Sequence, residues 1–251
     1  MEPVKQPTRR LATSVPLYSQ IAENLLDQIE SGELKPGDRL PPERELSTLF
    51  GVNRVTVRRA LQLLEMQGLL VRRQGDGTYI TEPKIERRAD KLVPFTWGMQ
   101  RRGFTPGAKV ILFEVRPVDV STSKELQLTV SAPVYYIERL RFINEEPAML
   151  ERLTVSVRRF PALERYDLNK RSLYEILETE YGISVAQARQ SLEAVVATEY
   201  EAALLQVAPG APLMLERRSA FDGNGQAVEH GRDLYRGDRF RFVTETAPIE
   251  S

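Results

Sequence analysis

The chain has 251 residues, with 35 Lys and Arg against 35 Asp and Glu and no cysteine. That length accommodates two domains with cores of their own. The balanced charge rules out a global attraction to nucleic acid or an anionic surface, and the lack of thiols rules out disulfides and thiolate metal sites. No apolar run approaches the ~18 residues that would suggest a membrane span, and no signal peptide is visible, so a cytoplasmic protein with no membrane partner is expected.

In chain order, residues 1–14 are rich in Pro, Thr and Arg and read as a disordered arm. Ala22, Leu25, Leu26 and Ile29 then mark one face of an amphipathic helix. Pro41-Pro42 stops what precedes and starts a second helix, whose apolar face is Leu46, Leu49 and Phe50. Gly51 permits a turn, and Asn53 is a good N-cap for a third helix with Val57, Ala60, Leu61 and Leu64 as its buried stripe. Arg54 and Arg58 sit one turn apart on another face, with Thr56 and Arg59 beside them; Gly68 ends the helix. Leu70-Val71-Arg72-Arg73, the turn Gln74-Gly75-Asp76-Gly77 and Thr78-Tyr79-Ile80-Thr81 read as a basic hairpin.

Helix, turn, arginine-bearing helix and basic wing, in that order, are the layout of a winged helix-turn-helix, which makes double-stranded DNA the expected partner. An isolated arginine pair is usually just a solvated helix face. Here residues 51–81 set Arg54, Arg58, Arg59, Arg72 and Arg73 against Glu65 and Asp76, a local excess of three positive charges in a neutral chain. The run LYSQIAENLLDQIESGELKPGDRLPPERELSTLFGVNRVTVRRALQLLEMQGLLVRRQGDGTYI resembles the winged-helix domain of the GntR family of bacterial transcription regulators over the whole module (residues 15–81). The resemblance implies DNA contacts from Arg44, Arg54, Thr56, Arg58, Gln74, Gly75 and Gly77. Arg44 is not marked by the face analysis; it would reach the DNA backbone from the first helix of the motif.

Residues 82–91, EPKIERRADK, are polar, charged and without apolar periodicity, and read as a linker. After them, β-like runs (VILFEVRPV, PVYYIERLRF, AMLERLTVSV) alternate with helical pieces (SLYEILETEY, TEYEAALLQV). Turns at Asn144-Glu145-Glu146-Pro147 and Asp222-Gly223-Asn224-Gly225 suggest hairpins, hence an antiparallel sheet with helices and an α+β class overall. A faint repeat runs through this half. At a shift of 79 residues Phe95 meets Tyr174, Gly103 meets Gly182, Leu126-Gln127 meets Leu205-Gln206 and Ala132-Pro133 meets Ala211-Pro212. With one residue deleted the shift becomes 78, and Glu138-Arg139 meets Glu216-Arg217, Asn144 meets Asp222 and Glu151 meets Glu229. Two similar halves would then face each other across a pseudo-twofold axis, with Glu151 and Glu229 equivalent.

The helix starts near Phe95-Thr96 and Ser172-Tyr174 would offer free N–H donors to an anion. Arg139 and Arg141 alternate along one strand and so share a face. Unless they pair with Glu138, Glu151 or surface acids, they need an anionic ligand. FTWGMQRRGFTPGAKVILFEVRPV, YYIERLRFINEEPAMLERLTV, SLYEILETEYGISVAQARQSLEAV and AVEHGRDLYRGDRFRF make residues 92–248 resemble the UTRA effector-binding domain of HutC-type GntR regulators, similar in fold to chorismate lyase. The resemblance implies a pocket of Phe95, Thr96, Arg139, Arg141, Glu151, Ser172, Tyr174, Glu229 and Tyr235, a homodimer on a pseudo-palindromic operator, and a small anionic effector. That effector would be a sugar phosphate such as an amino-sugar phosphate, or else a carboxylate such as urocanate. Several relatives carry Ser or Thr where Pro94 precedes Phe95-Thr96; proline has no N–H to donate, so the cradle would lack one contact.

The likeness to a lyase raises the question of catalysis. His230, the only histidine, neighbours Glu229 in sequence and would point to the opposite face of a strand, so the two form no dyad. Glu151 and Glu229 could serve as acid and base, yet no nucleophile–base pair, phosphate loop or metal-ligand spacing accompanies them. No cofactor is expected. A constitutive architectural DNA-binding protein would have no need of a second domain with arginines turned into a pocket. The expectation is a ligand-responsive repressor rather than an enzyme.

Overall fold

The computed structural model describes residues 4, 15–73 and 75–246. The expected arm at 1–14 therefore falls, apart from Val4, outside the described residues, as does Gln74. The chain divides into two compact units, residues 1–84 and 85–251.

In the first unit, α1 (Leu17–Glu30), α2 (Glu43–Phe50) and α3 (Arg54–Met66) pack with the hairpin β1 (Leu70–Arg73) and β2 (Gly77–Ile80). Leu25, Leu46, Val57, Ala60, Leu61 and Leu64 are buried at the centre; burying one such leucine or valine contributes roughly 1.5–3 kcal/mol. Gly51 closes α2 in the left-handed region at φ 65°, so that the chain can reverse into α3. The Asn53 side chain caps α3 by accepting the Thr56 N–H at 2.8 Å.

The second unit is built on a six-stranded antiparallel sheet, with strand order β4-β5-β6-β9-β8-β7. The strands are β4 (Pro106–Pro117), β5 (Pro133–Ile143), β6 (Glu146–Ser156), β7 (Gln187–Val196), β8 (Pro212–Phe221) and β9 (Ala227–Arg236). β5 and β6 join through Asn144 and Glu145, both left-handed (φ 49° and 69°), the geometry a two-residue hairpin loop demands. Helices α4 (Phe95–Gln100), α5 (Val120–Glu125), α6 (Leu173–Tyr181) and α7 (Glu199–Leu205) and a short 3-10 turn at Leu163–Arg165 complete it. The linker expectation fails at Ile85–Arg88. These residues form β3, which pairs in parallel with β10 (Phe240–Val243). The physical reason is Ile85: buried with Phe95, Tyr235 and Phe240, it anchors a stretch whose other side chains are all charged.

The duplication is visible in the topology: helix, strand, helix and a strand pair occur twice, and the sheet order is symmetric about β6–β9. Gln127 and Gln206, 79 residues apart, both adopt φ near 55° after a short helix. The register corrects the second shift, however. Pro117 pairs with Pro133 and Val196 with Pro212, an offset of 79 on both strands. Arg139 pairs with Glu151 and Arg218 with Gly231, so the offset stays 79 on β5/β8 and rises to 80 on β6/β9. A residue is inserted, not deleted, because the second hairpin has the longer loop. Arg139 therefore corresponds to Arg218 rather than Arg217, and Glu151 to Gly231. Glu229 lies one strand-pleat away from the position the repeat assigned it, on the same face. The axis runs through the directly paired Arg152 and Arg232.

Candidate nucleic-acid interface and ligand cleft

On α3 the buried stripe turns Arg54, Arg58 and Arg59 outward, all three exposed, and leaves Thr56 half-buried. The Thr56 hydroxyl also donates to Asn53 Oδ1, at 3.0 Å, which fixes the first turn. Arg44 is exposed on α2. Arg58 is engaged: Glu43 accepts from its Nε and Nη2, the shortest contact being 2.8 Å, and Arg72 approaches the same carboxylate at 3.7 Å. The Arg58 hydrogen bond, then charge, holds the Glu43 carboxyl below its ordinary range, so this latch is ionised at neutral pH. Gly75 and Gly77 have φ of 76° and 149°. At Gly77 a Cβ would come within 2.7 Å of Arg39 Nε, so a larger residue would push the Arg39 side chain aside as well as strain the backbone. Arg39, Arg72 and Arg73 line the groove between the wing and the start of α2.

The cleft of the second unit lies on the sheet face covered by α4 and α6; its enclosed cavity is small, about 30 Å³, so a ligand larger than water enters only as the lining side chains part. Phe95, Arg139, Arg141, Glu151, Ser172, Tyr174 and Tyr235 line it. Thr96 stands behind Arg141, accepting from its Nη2 at 2.8 Å, and Phe95 supports the same guanidinium 4.6 Å from its ring centre. The two arginines do not wait unpaired. Glu151 takes both, Arg139 at 2.5 Å and Arg141 at 3.4 Å, which was the bland alternative for these residues. Arg139, 1% exposed, also donates to Leu168 O at 3.0 Å. One carboxylate between two guanidiniums leaves this end positive. Burial alone would raise the Glu151 carboxyl; Arg139, Arg141 and Arg218 outweigh it and hold it low. The Ser172 hydroxyl makes no cap bond to α6.

The other end of the cleft is acid-rich. Arg218 contacts Glu229 at 2.8 Å, Asp233 at 3.2 Å and Glu216 at 3.5 Å, all of them buried. Tyr174 donates to Glu229 at 2.8 Å and Tyr235 to Glu216 at 2.8 Å. Burial pushes both phenols well up, with Glu229 adding to it at Tyr174, so both remain donors. Burial likewise drives the Asp233 carboxyl well above its ordinary range, against the pull of Arg218. Two buried carboxyl oxygens, Glu229 Oε2 and Asp233 Oδ1, have no hydrogen-bond partner among the described residues. Such orphans are costly in an interior; Asp233, which lines the cleft, is the one within reach of a polar group entering it. His230 turns away from Glu229, its Nδ1 3.0 Å from the Ser219 hydroxyl, which itself donates to Glu125 at 2.7 Å.

Residues 17–80 match the family model for bacterial regulatory proteins of the gntR family, and residues 101–241 match that of the UTRA domain. The chain is 36% identical over 233 residues to the HTH-type transcriptional repressor NagR of Bacillus subtilis, covering 91% of this chain and 94% of that one. It is 33% identical over 228 residues to the mannosyl-D-glycerate transport/metabolism system repressor MngR of Escherichia coli, with 91% and 95% covered. The crystal structure of PhnF from Mycobacterium smegmatis superposes with a TM-score of 0.65 at 28% identity, covering 92% and 99% of the two chains.

The chain belongs to the GntR family. It is a DNA-binding transcription regulator with a UTRA effector-binding domain, not an enzyme. Among the described residues no helix is long and apolar enough to cross a membrane.

In this GntR regulator the cleft gathers seven of the nine residues anticipated for it; Thr96 and Glu229 form its backing. Sequence reasoning missed Arg39, Arg87, Arg218 and Asp233, and the outward Val55, 73% exposed beside Arg54. A signal for Arg218 existed: carrying the shift of 79 through β8 would have set it opposite Arg139. For Asp233 there was none, since its register counterpart is the apolar Leu153.

Proposed function

We propose that this protein is a repressor whose operator binding is relieved by a phosphorylated sugar, an amino-sugar phosphate fitting best, held in the UTRA cleft of each subunit of a cytoplasmic homodimer. The observation that carries the reading is the cleft's polarity. Its positive end, where Arg139 and Arg141 share Glu151 beside the unused Ser172 hydroxyl, suits a phosphoryl group. Its acid-rich end, with Asp233 Oδ1 lacking a hydrogen-bond partner among the described residues, suits an ammonium or hydroxyl donors. A simple carboxylate would satisfy only the first. Arg54, Thr56, Arg58, Gly75, Gly77 and Arg44, with Gln74 by family resemblance, would meet operator DNA, Arg54 and Arg58 reaching base edges or phosphates. Arg58 must leave Glu43 to do so.

Two variants test this in the full-length protein. Arg54→Ala should abolish operator binding while leaving the glucosamine 6-phosphate affinity of the cleft within error. Arg139→Ala should give the reverse, a protein that still binds operator but is no longer released by the sugar phosphate. Equal damage to both activities in either variant overturns the two-site reading. Because coupling free energies are reciprocal, saturating operator must weaken sugar-phosphate binding by the factor by which the ligand weakens operator binding.

A further inference from the structure

The cleft contains a fourth guanidinium that lies outside the residues already assigned to it. Arg87 is on β3, and like Ile85 on the same strand face it turns toward Tyr235. Its guanidinium carbon stands 5.1 Å from the Tyr235 ring centre, and the side chain lines the cleft. Among the described residues its one hydrogen bond is long: Nη2 donates to Val93 O at 3.4 Å, just ahead of α4. Arg139 and Arg141 spend their charge on Glu151, and Arg218 on Glu229, Asp233 and Glu216. Arg87 alone of the cleft's arginines has no carboxylate in ion-pair range among the described residues. The neighbouring Arg88 is spoken for by Asp90 and Glu245, each at 2.6 Å.

A partly buried cation with no counter-charge, held by one long hydrogen bond and the Tyr235 ring, is where an incoming anion gains most, because it displaces water and a poor acceptor and breaks no existing salt bridge. The position of β3 adds a consequence. Ile85 is the first residue of the second unit, directly after Lys84, so Arg87 sits three residues from the end of the DNA-binding unit along the chain. We infer that Arg87 is an anion-binding residue of the effector cleft, and that through it ligand charge pulls on the strand leading from the DNA-binding unit and on the Val93–Phe95 lead into α4. This rests on the sugar-phosphate reading above. It makes the bond to the ligand anion part of the signal as well as of the affinity, since that bond exists only when the cleft is filled.

The experiment uses the full chain, glucosamine 6-phosphate and glucosamine, followed by calorimetric titration, with Arg87→Ala, Arg87→Lys and the control Arg88→Ala. Arg87→Ala should weaken glucosamine 6-phosphate at least tenfold, with Arg87→Lys between it and the parent, Arg88→Ala within twofold of the parent, and glucosamine affinity unaffected by any of them. At saturating glucosamine 6-phosphate the ratio of operator dissociation constants with and without ligand should fall toward one in Arg87→Ala. A parent-like affinity in Arg87→Ala overturns the assignment and leaves the cleft reading standing. An equal loss for glucosamine also overturns it, since Arg87 would then shape the cleft and not bind the anion. A parent protein that binds no sugar phosphate removes the cleft reading and this inference together.

Discussion

Glu151 and Asp233 pair directly across β6 and β9, yet their environments push their protons in opposite directions. Glu151 is surrounded by guanidinium groups and stays ionised; Asp233, equally buried, shares Arg218 with two other acids and holds its proton more tightly. Removing the charge of Glu151 leaves Arg139 and Arg141 buried without compensation, which typically costs about 3–5 kcal/mol. Glu151→Gln should therefore lower the unfolding free energy by roughly that much in urea titrations at pH 7. Asp233→Asn, replacing a carboxyl that burial already disposes to keep its proton, should cost about 1 kcal/mol or less, near the net worth of one hydrogen bond. The acid limb gives an independent check. Because the folded-state value of Glu151 is lowered, its stabilisation is present above the ordinary carboxyl range and is lost as pH falls through the depressed folded value. Glu151→Gln should thus flatten the loss of stability below about pH 4, whereas Asp233→Asn should remove a penalty that grows as pH rises. Equal destabilisation by both substitutions across the whole range would contradict this division of charge.

At the scale of elements, α3 shows how far local rules reach. Its stripe, its cap and the glycine after it are each a matter of spacing between neighbours, and each was legible before folding. Asn53→Ala should cost about 1 kcal/mol, the usual worth of an N-cap, read as a lower melting temperature of the isolated thermal transition of the first unit. It should also loosen Thr56, whose hydroxyl shares that carboxamide. An unchanged transition would mean the cap contributes nothing. What local spacing could not reveal is pairing. Ile85–Arg88 has a single apolar residue, too little for periodicity, and becomes a strand only because β10, some 155 residues later, offers it an edge. The repeat was legible as topology and misread as register, since a short gap can be placed on either side of a hairpin; β8 against β9 decides it. In the same way the arginines of the cleft could be placed on one face by alternation, while their partner depended on which strand lay beside them. Tertiary pairing, not composition, decided those points.

For the whole molecule the neutral net charge matters. A chain with 35 charges of each sign gains no attraction to DNA from its net charge; on the interface proposed above, operator affinity would come from the arginines of α2, α3 and the wing, of which Arg58 and Arg72 face Glu43. Each phosphate neutralised by a cation changes log K by about −0.9 per decade of salt. Operator affinity should therefore fall steeply with salt despite zero net charge, and a flat dependence would exclude phosphate contacts. Arg44, exposed on α2, is the cleanest probe, because no acid competes for it among the described residues and a backbone contact lowers affinity for every sequence alike. Arg44→Ala should reduce the salt slope without altering the ranking of operator variants. Its size then counts subunits: a reduction of about 0.9 corresponds to one copy of the chain on the operator, and about 1.8 to two related copies. A reduction near 1.8 supports the homodimer. A reduction near 0.9 would require one chain to read the site alone, and the pseudo-palindromic operator would have to be abandoned.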